Sequence, residues 1–158
     1  GFRLPRRRDE FLLSRAAAKQ LAVDIGVVAD VAQCRIDQRR IGSRHLSISH
    51  SAPYAAAAID AEPVGIDVQV VRSIRESAAH LFLTDEESAV MRDCVLPDRL
   101  IHFWCAKEAA WKRRGGEVAT LKRVPLRLEG ETPRALHFDT VDTMRIGDLV
   151  VALTRPTV

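Results

Sequence analysis

The chain has 158 residues, 47% of them hydrophobic, which suits one folded domain with a real core and excludes a disordered chain. Its net charge of +3 and pI near 9.0 favour acidic partners such as phosphates, but no run of like charges marks a nucleic-acid-binding tail. No apolar stretch approaches the roughly 20 residues that cross a bilayer, so no membrane partner is expected.

Cysteine usage points to a reducing compartment. Cys34, Cys94 and Cys105 are widely spaced and odd in number, so they give neither a disulfide framework nor a zinc signature. The first residues are charged and are not followed by the apolar segment of a signal peptide. The sequence therefore predicts a soluble, cytoplasmic protein.

The first predicted element is a helix over residues 9–22. Apolar residues recur there at helical spacing, and Asp9 and Glu10 are acids of the kind that the helix dipole favours in a first turn. The following stretch, residues 27–42, mixes β-branched and polar residues and predicts short strands and turns.

A strand is predicted over residues 45–51, where apolar and polar side chains alternate. Its polar face carries three hydroxyl groups, from Ser47, Ser49 and Ser51. His50 lies where this strand should end.

Two more strands are predicted over 54–60 and 64–71, around a turn at 62–63. In the second of them Val and Ile share one face, and Asp67 and Gln69 share the other. If the sheet is covered on both sides, Asp67 needs a compensating partner. If the strand is half-exposed, Asp67 simply faces solvent, and both interpretations stay open.

Helices are predicted after these strands. Thr84 with Glu87 three residues later forms a capping-box pattern, which explains the acidic cluster there better than chemistry does. A longer helix is predicted over 98–114 and ends at Gly115 and Gly116 as left-handed residues.

Three strands are predicted in the tail, separated by turn residues. They cover residues 124–130, 134–141 and 149–156. The chain shows no internal repeat and no linker, so one domain is expected.

The segment FWCAKEAAWK places charges among indole rings. Helical spacing puts Trp104, Glu108, Trp111 and Lys112 on one face. On an exposed face, Glu108 and Lys112 would form a pair worth about 0.2–0.5 kcal/mol. Because that arrangement would expose two indoles, we interpret part of the set as lining a cleft, where Lys107 and Lys112 suit phosphate oxygens.

A strand aspartate facing a helix glutamate is compatible with a hard cation. Mg²⁺ takes one or two carboxylates together with waters and substrate phosphates, and Gln69 could add an amide oxygen. The motifs of P-loop, dinucleotide-binding and α/β-hydrolase proteins are absent. Ser49 and His50 are adjacent on a strand and point to opposite faces, which argues against a hydrolase dyad.

Three segments then occur in an order that resembles the phosphopantetheinyl transferases, especially the surfactin-synthetase-activating type. They are SISHS at 47–51, VGIDVQ at 64–69 and FWCAKEAAWK at 103–112. The family signature is a G-[IV]-D strand followed by [FW]-x-x-K-E-[AS]-x-x-K. Here Asp67 and Glu108 stand 41 residues apart (108 − 67).

The resemblance implies an α+β fold of two similar, unequal lobes, each a small antiparallel sheet packed with helices, with the active site at the seam. It divides a single domain into residues 1–72 and 73–158. The N-terminal lobe is shorter than in relatives of this type and the chain starts at Gly1, so we expect a trimmed lobe or a domain cut from a larger synthase. An uncovered sheet edge would then favour self-association or contact with a neighbouring synthase domain.

The resemblance also implies the chemistry of the site. Asp67 and Glu108 would bind Mg²⁺, and Gln69 stands where many relatives carry a third acid. Glu108 would accept the proton of a serine hydroxyl, and Lys112 would neutralise the departing adenosine bisphosphate.

Coenzyme A is the implied co-substrate. Its phosphates would be contacted by Ser49, His50, Lys107 and Lys112. Arg7 and Arg15 lie about two turns apart on one helix face and would reach the same phosphates, although a solvated basic helix end also explains them. Arg39 or Arg40 stands near the expected adenine position, and Arg40 is the candidate.

The implied reaction is transfer of 4'-phosphopantetheine from coenzyme A to a serine of an acyl, peptidyl or polyketide carrier protein. One rival is a non-catalytic domain of the same fold that serves as an interaction module. Loss of Asp67, Glu108 or Lys112 would mark it, and all three are present. The other rival, a nucleic-acid-binding module, is weakened because one Tyr and five Phe form no clustered aromatic platform.

Overall fold

A computed structural model describes residues 5–72 and 75–156, with the side chains of 5–7 left out of the description. Within these ranges the α-helices are α1 (Pro5–Asp24), α2 (Asp85–Asp93) and α3 (Arg99–Arg113), and short 3₁₀ helices span Glu76–Leu81 and Leu121–Arg123. The strands are β1 (Arg40–Ile41), β2 (Arg44–Ser51), β3 (Tyr54–Asp60), β4 (Ile66–Val70), β5 (Leu128–Thr132), β6 (Ala135–Phe138), β7 (Val141–Ile146) and β8 (Leu149–Thr154). No helix in the described ranges is both long enough and apolar enough to cross a membrane.

The strands form two antiparallel sheets, which confirms the predicted α+β class. The first sheet has the order β1-β2-β3 and packs against α1. The second has the order β4-β8-β7-β6-β5 and packs against α3. Each sheet has its own apolar core, and the larger core lies between α2, α3 and the second sheet.

Helix α1 begins earlier than predicted. Its first residue is Pro5, which suits a first turn because its missing N–H would have no helical partner there. Asp9 and Glu10 therefore lie in the second turn rather than the first. The buried face includes Ala18 and Ala22, which are fully enclosed against the first sheet.

The predicted hairpin between residues 54–60 and 64–71 is wrong, although both segments are strands. β3 pairs with β2, and β4 pairs with β8, where Asp67 lies opposite Ala152. Alternation of side chains predicts a strand but does not identify its partner. Because β4 pairs with β8, it belongs to the second sheet and not to the sheet of the first lobe. The division of the chain at residue 72 stays a prediction.

Serine hydroxyls join the two sheets. Backbone N–H groups of alternate β4 residues donate to serine Oγ atoms of β2, and both sets repeat every second residue. The pairs are Ile66 with Ser47 (3.0 Å), Val68 with Ser49 (3.3 Å) and Val70 with Ser51 (3.0 Å). We call these six residues the serine seam. The seam provides hydrogen-bond acceptors for backbone N–H groups at the edge of β4, which would otherwise need another strand.

The polypeptide just before β4 approaches α3 closely. A Cβ atom at Gly65 would lie 1.9 Å from the carbonyl oxygen of Ala109 and 2.9 Å from the backbone nitrogen of Arg113. Only glycine fits at this contact, which fixes the position of β4 relative to α3.

We therefore expect Gly65→Ala to lower the free energy of unfolding by about 1–3 kcal/mol, because the clash involves backbone atoms that cannot rotate away. Urea denaturation measures this change. Gly130→Ala is the matched control, since Gly130 lies in β5 of the same sheet and its added Cβ would meet no atom within 4 Å. Equal losses of unfolding free energy in the two variants would show that replacing either glycine causes the effect, and that the close approach of Gly65 to α3 does not.

The tail has four strands rather than the predicted three. The predicted strand at 134–141 covers β6, a turn and the first residue of β7. The core face of β7 includes Thr143, which is buried and accepts from His102 Nδ1–H at 2.7 Å while donating to Leu136 O at 2.9 Å. A hydrogen-bonded threonine at a core position weakens the apolar alternation that predicts a strand.

The predicted start of α2 and the predicted end of α3 are confirmed. Thr84 and Glu87 form the capping box at the start of α2. Helix α3 ends within one residue of the predicted position, and Gly115 and Gly116 follow with φ of 74° and 77°.

Candidate active site

A cleft of about 700 Å³ lies where α1, β2, β4 and α3 meet. It is lined by Glu10, Phe11, Ser14, Arg15, Ile48, Ser49, His50, Asp67, Gln69, Trp104, Glu108 and Lys112. Seven of the ten predicted site residues are in this set. Arg40 and Lys107 are not, and the side chain of Arg7 lies outside the described residues. The fold therefore collects residues from both sheets and two helices at the seam.

Asp67 is the centre of the polar contacts in the cleft. Its Oδ1 atom accepts hydrogen bonds from Ser49 Oγ and Lys112 Nζ, each at 2.6 Å. Its Oδ2 atom accepts from Gln69 Nε2 at 3.2 Å. The side chain is 3% exposed, so the solvent-facing interpretation of Asp67 is excluded and the compensating partner is Lys112.

Lys112 reaches from α3 to β4. Besides Asp67, its Nζ donates to the carbonyl oxygen of Ile66 at 3.1 Å. Among the described ion pairs it pairs with Asp67 and not with Glu108. An ammonium group has three donors, so one remains for a ligand in the cleft.

Glu108 is a half-buried carboxylate without a hydrogen-bond donor among the described residues. Burial raises its pKa, the negative charge of Asp67 raises it further, and the ammonium of Lys112 lowers it. Because its ionised form is disfavoured, the Glu108 carboxylate is stabilised when it binds a proton or a cation.

The two indoles of α3 anchor the helix. Trp104 borders the cleft and packs edge to face on Phe82, with ring centroids 5.0 Å apart. Trp111 donates from Nε1 to the carbonyl oxygen of Val118 at 2.9 Å. The two rings fix the orientation of α3, so that the helix face carrying Glu108 is directed toward the cleft.

The acids of the cleft fit an open cation site. The described residues contain no group of three or more His, Cys, Asp or Glu that could hold a metal. Asp67 lies close enough to Glu108 for its charge to raise the pKa of Glu108, and a cation between them would relieve that repulsion. Mg²⁺ needs no more than one or two carboxylates when waters and phosphates supply its other ligands.

Gln69 lies beside this acid pair but points its amide nitrogen at Asp67. It therefore acts as a hydrogen-bond donor to the carboxylate in this structure. The predicted contact of Gln69 with a metal stays a prediction.

Helix α1 contributes the predicted Arg15 to the cleft, together with Glu10, Phe11 and Ser14, which the sequence did not single out for the site. The guanidinium of Arg15 lies over the ring of Phe11, with its carbon 3.5 Å from the ring centroid. Glu10 places its Oε2 atom 3.4 Å from His50 Nε2. Helical spacing puts Glu10 and Ser14 on one face, but it cannot show that this face meets the end of β2.

Lys107 lies outside the cleft, so its predicted contact with a ligand phosphate is wrong. Its side chain is fully buried, and Nζ donates to Glu87 Oε1 at 2.6 Å and to the carbonyl oxygen of Val124. Burial lowers the pKa of Lys107, and the hydrogen bond and charge of Glu87 oppose that change. Successive helical residues differ by about 100° in direction, so Lys107 faces the core when Glu108 faces the cleft.

The predicted arginines differ in their position relative to the cleft. Arg40 is absent from the cleft lining, and its Nη1 donates to the carbonyl oxygen of Ser43 at 2.9 Å. Arg39 instead donates to the carbonyl oxygen of Lys112 at 2.8 Å and borders an adjoining cavity of about 530 Å³. The side chain of Arg7 lies outside the described residues.

Comparison with known proteins finds matches over the segment that contains β4 and α3. The model of the ACPS family, described as the 4'-phosphopantetheinyl transferase superfamily, matches residues 63–150, which include β4 and α3. The 4'-phosphopantetheinyl transferase psf-1 of Bacillus pumilus is 30% identical over 113 residues, covering 70% of this chain and 46% of that relative. The chain thus spans about half the length of the curated relative that it matches.

Proposed function

This chain belongs to the 4'-phosphopantetheinyl transferase superfamily, and from that premise we propose that it transfers 4'-phosphopantetheine from coenzyme A to a serine of a carrier protein. The carrier is an acyl, peptidyl or polyketide carrier, and the reaction depends on Mg²⁺. The observation that carries the proposal is the meeting of Asp67, Glu108 and Lys112 in one cleft, where Asp67 and Lys112 are hydrogen-bonded.

Glu108 acts as the base. It accepts the proton of the carrier serine hydroxyl as the serine oxygen attacks the β-phosphorus of coenzyme A. A new P–O bond forms, the bond to the adenosine bisphosphate breaks, and Lys112 neutralises charge on that leaving group. The raised pKa of Glu108 supports this role, because it strengthens the carboxylate as a proton acceptor.

Asp67 and Glu108 are the residues that would hold Mg²⁺, which when bound would supply positive charge to the phosphate oxygens of coenzyme A. The balance of charged side chains in the cleft supports a requirement for added positive charge. Three acids, Glu10, Asp67 and Glu108, face the two permanent cations Arg15 and Lys112. The described side chains of the cleft therefore do not balance the charge of a pyrophosphate.

Ser49, His50 and Arg15 are the other side chains that we assign to coenzyme A, because each lines the cleft. We place the reaction in the cytoplasm, and the three cysteines support this location because all are free and buried. We also propose that the protein acts beside other synthase domains or a second copy of itself.

The test is incubation of the protein with coenzyme A, Mg²⁺ and a panel of apo carrier domains, followed by mass spectrometry of each carrier. We expect at least one carrier to gain one phosphopantetheine group at its serine. If none gains that mass and calorimetry detects no coenzyme A binding, the proposed function is wrong. Binding of a carrier without transfer would instead support an interaction module with this fold.

We expect Gln69→Glu to strengthen Mg²⁺ binding by about tenfold, or ~1.4 kcal/mol, because it adds a negative charge beside Asp67. The Mg²⁺ dependence of the transfer rate should shift to lower concentration, and calorimetry with Mg²⁺ alone should show the same shift. Gln33→Glu, at an exposed loop position, is the control for added charge. Unchanged Mg²⁺ affinity in the cleft variant would remove Gln69 from the metal site.

A further inference from the structure

Glu10 and His50 form a contact across the cleft, and the mechanism above gives this contact no role. Glu10 comes from α1 and His50 from the end of β2, and their Oε2 and Nε2 atoms lie 3.4 Å apart. The glutamate side chain is 17% exposed and the histidine side chain 45% exposed. The acid is thus mostly enclosed, while the imidazole stays open to a ligand.

An imidazole ring has two nitrogen atoms, and each can carry an N–H donor. In His50 the Nε2 atom faces Glu10. Nδ1 makes no hydrogen bond with the part of the chain that the structure describes. With Nε2 directed at the carboxylate, Nδ1 is the atom that can donate to an anionic oxygen.

An acid is an unexpected neighbour for an anion-binding residue. Asp67 and Glu108 already place two carboxylates in the cleft, and a third would repel phosphate oxygens if its charge were uncompensated. Glu10 directs its Oε2 atom at His50 Nε2 rather than into the open cleft. A carboxylate that holds one ring nitrogen fixes the orientation of the ring.

We propose that Glu10 is a positioning residue, which holds the His50 imidazole so that Nδ1 donates to a phosphate oxygen of the ligand. The inference rests on the proposed function only in identifying that ligand as coenzyme A. It assigns to α1 a role in ligand binding that acts through β2 rather than by direct contact.

The test is a double-mutant cycle with calorimetric binding of coenzyme A as the readout. Glu10→Gln should weaken binding by about tenfold, with a rise in KM that exceeds any fall in kcat. In a His50→Ala background the same change should cost less than about twofold, because the residue that Glu10 positions is gone. Asp9→Asn, the exposed neighbour on the same helix, is the matched control and should not alter binding.

Three outcomes would overturn the inference. Tighter binding by Glu10→Gln would show that Glu10 repels the ligand, and an undiminished cost in the His50→Ala background would show that it acts independently of His50. Thermal unfolding of each variant separates these results from loss of fold. If the wild-type protein itself binds no coenzyme A, the proposed function fails; if it binds and Glu10→Gln binds equally well, only the role of Glu10 fails.

Discussion

Glu108→Gln is expected to lower the rate of phosphopantetheine transfer by about 10²- to 10⁴-fold, because an amide cannot accept the proton of the carrier serine. The fold should survive the change. Glu108 receives no hydrogen bond from the described residues, and the charge of Asp67 disfavours its ionised form. Removing this charge leaves no buried partner unpaired, so the free energy of unfolding should not decrease.

Mass spectrometry of an apo carrier under single-turnover conditions gives the rate, and urea denaturation gives the stability. Glu62→Gln, in the exposed turn before β4, is the control for the same chemical change outside the cleft. Near-normal turnover of Glu108→Gln would remove Glu108 from the role of base. Equal rate losses in both variants would point to a general effect of lost negative charge.

Lys107→Met is expected to have the largest effect on stability, a loss of about 3–5 kcal/mol. The substitution removes the ammonium that pairs with Glu87 and leaves that carboxylate in the core, where its side chain is 10% exposed. The backbone N–H groups of Thr84 and Leu126 still donate to Glu87, but neither carries a compensating charge.

Adding Glu87→Gln to Lys107→Met should recover part of the loss, because the second change removes the uncompensated charge. Lys122→Met, at an exposed position, is the control and should change stability little. Folded Lys107→Met protein should bind coenzyme A as the wild type does, since Lys107 lies outside the cleft. A stable variant with weakened coenzyme A binding would restore the phosphate-binding role that the sequence predicted.

Local patterns predicted the elements of this fold well. Helix α3 and the capping box of α2 follow from spacing and from Thr84 and Glu87, because these signals act within one or two turns. The partner of β4 did not follow, because β8 lies some eighty residues later and alternation carries no information about pairing. β7 was obscured by the buried hydroxyl of Thr143.

The candidate site was predictable where a motif fixes the positions. Asp67, Glu108 and Lys112 meet in the cleft as the family resemblance implied. The prediction for Lys107 was wrong because its charge suits a phosphate, whereas its direction on the helix places it in the core. Glu10 was missed as a cleft residue because its proximity to His50 depends on how α1 packs across the first sheet.

The serine seam couples the docking of the two sheets to the chemistry of the cleft. Ser49 accepts from the Val68 N–H group and donates to Asp67, so one hydroxyl both joins the sheets and orients the carboxylate. A slip of β2 by one residue would replace every hydroxyl of the seam with a side chain from the other face. The sheets therefore cannot dock in that shifted register and still present Asp67 correctly, so the proposed transfer activity would report that the two sheets have assembled in register.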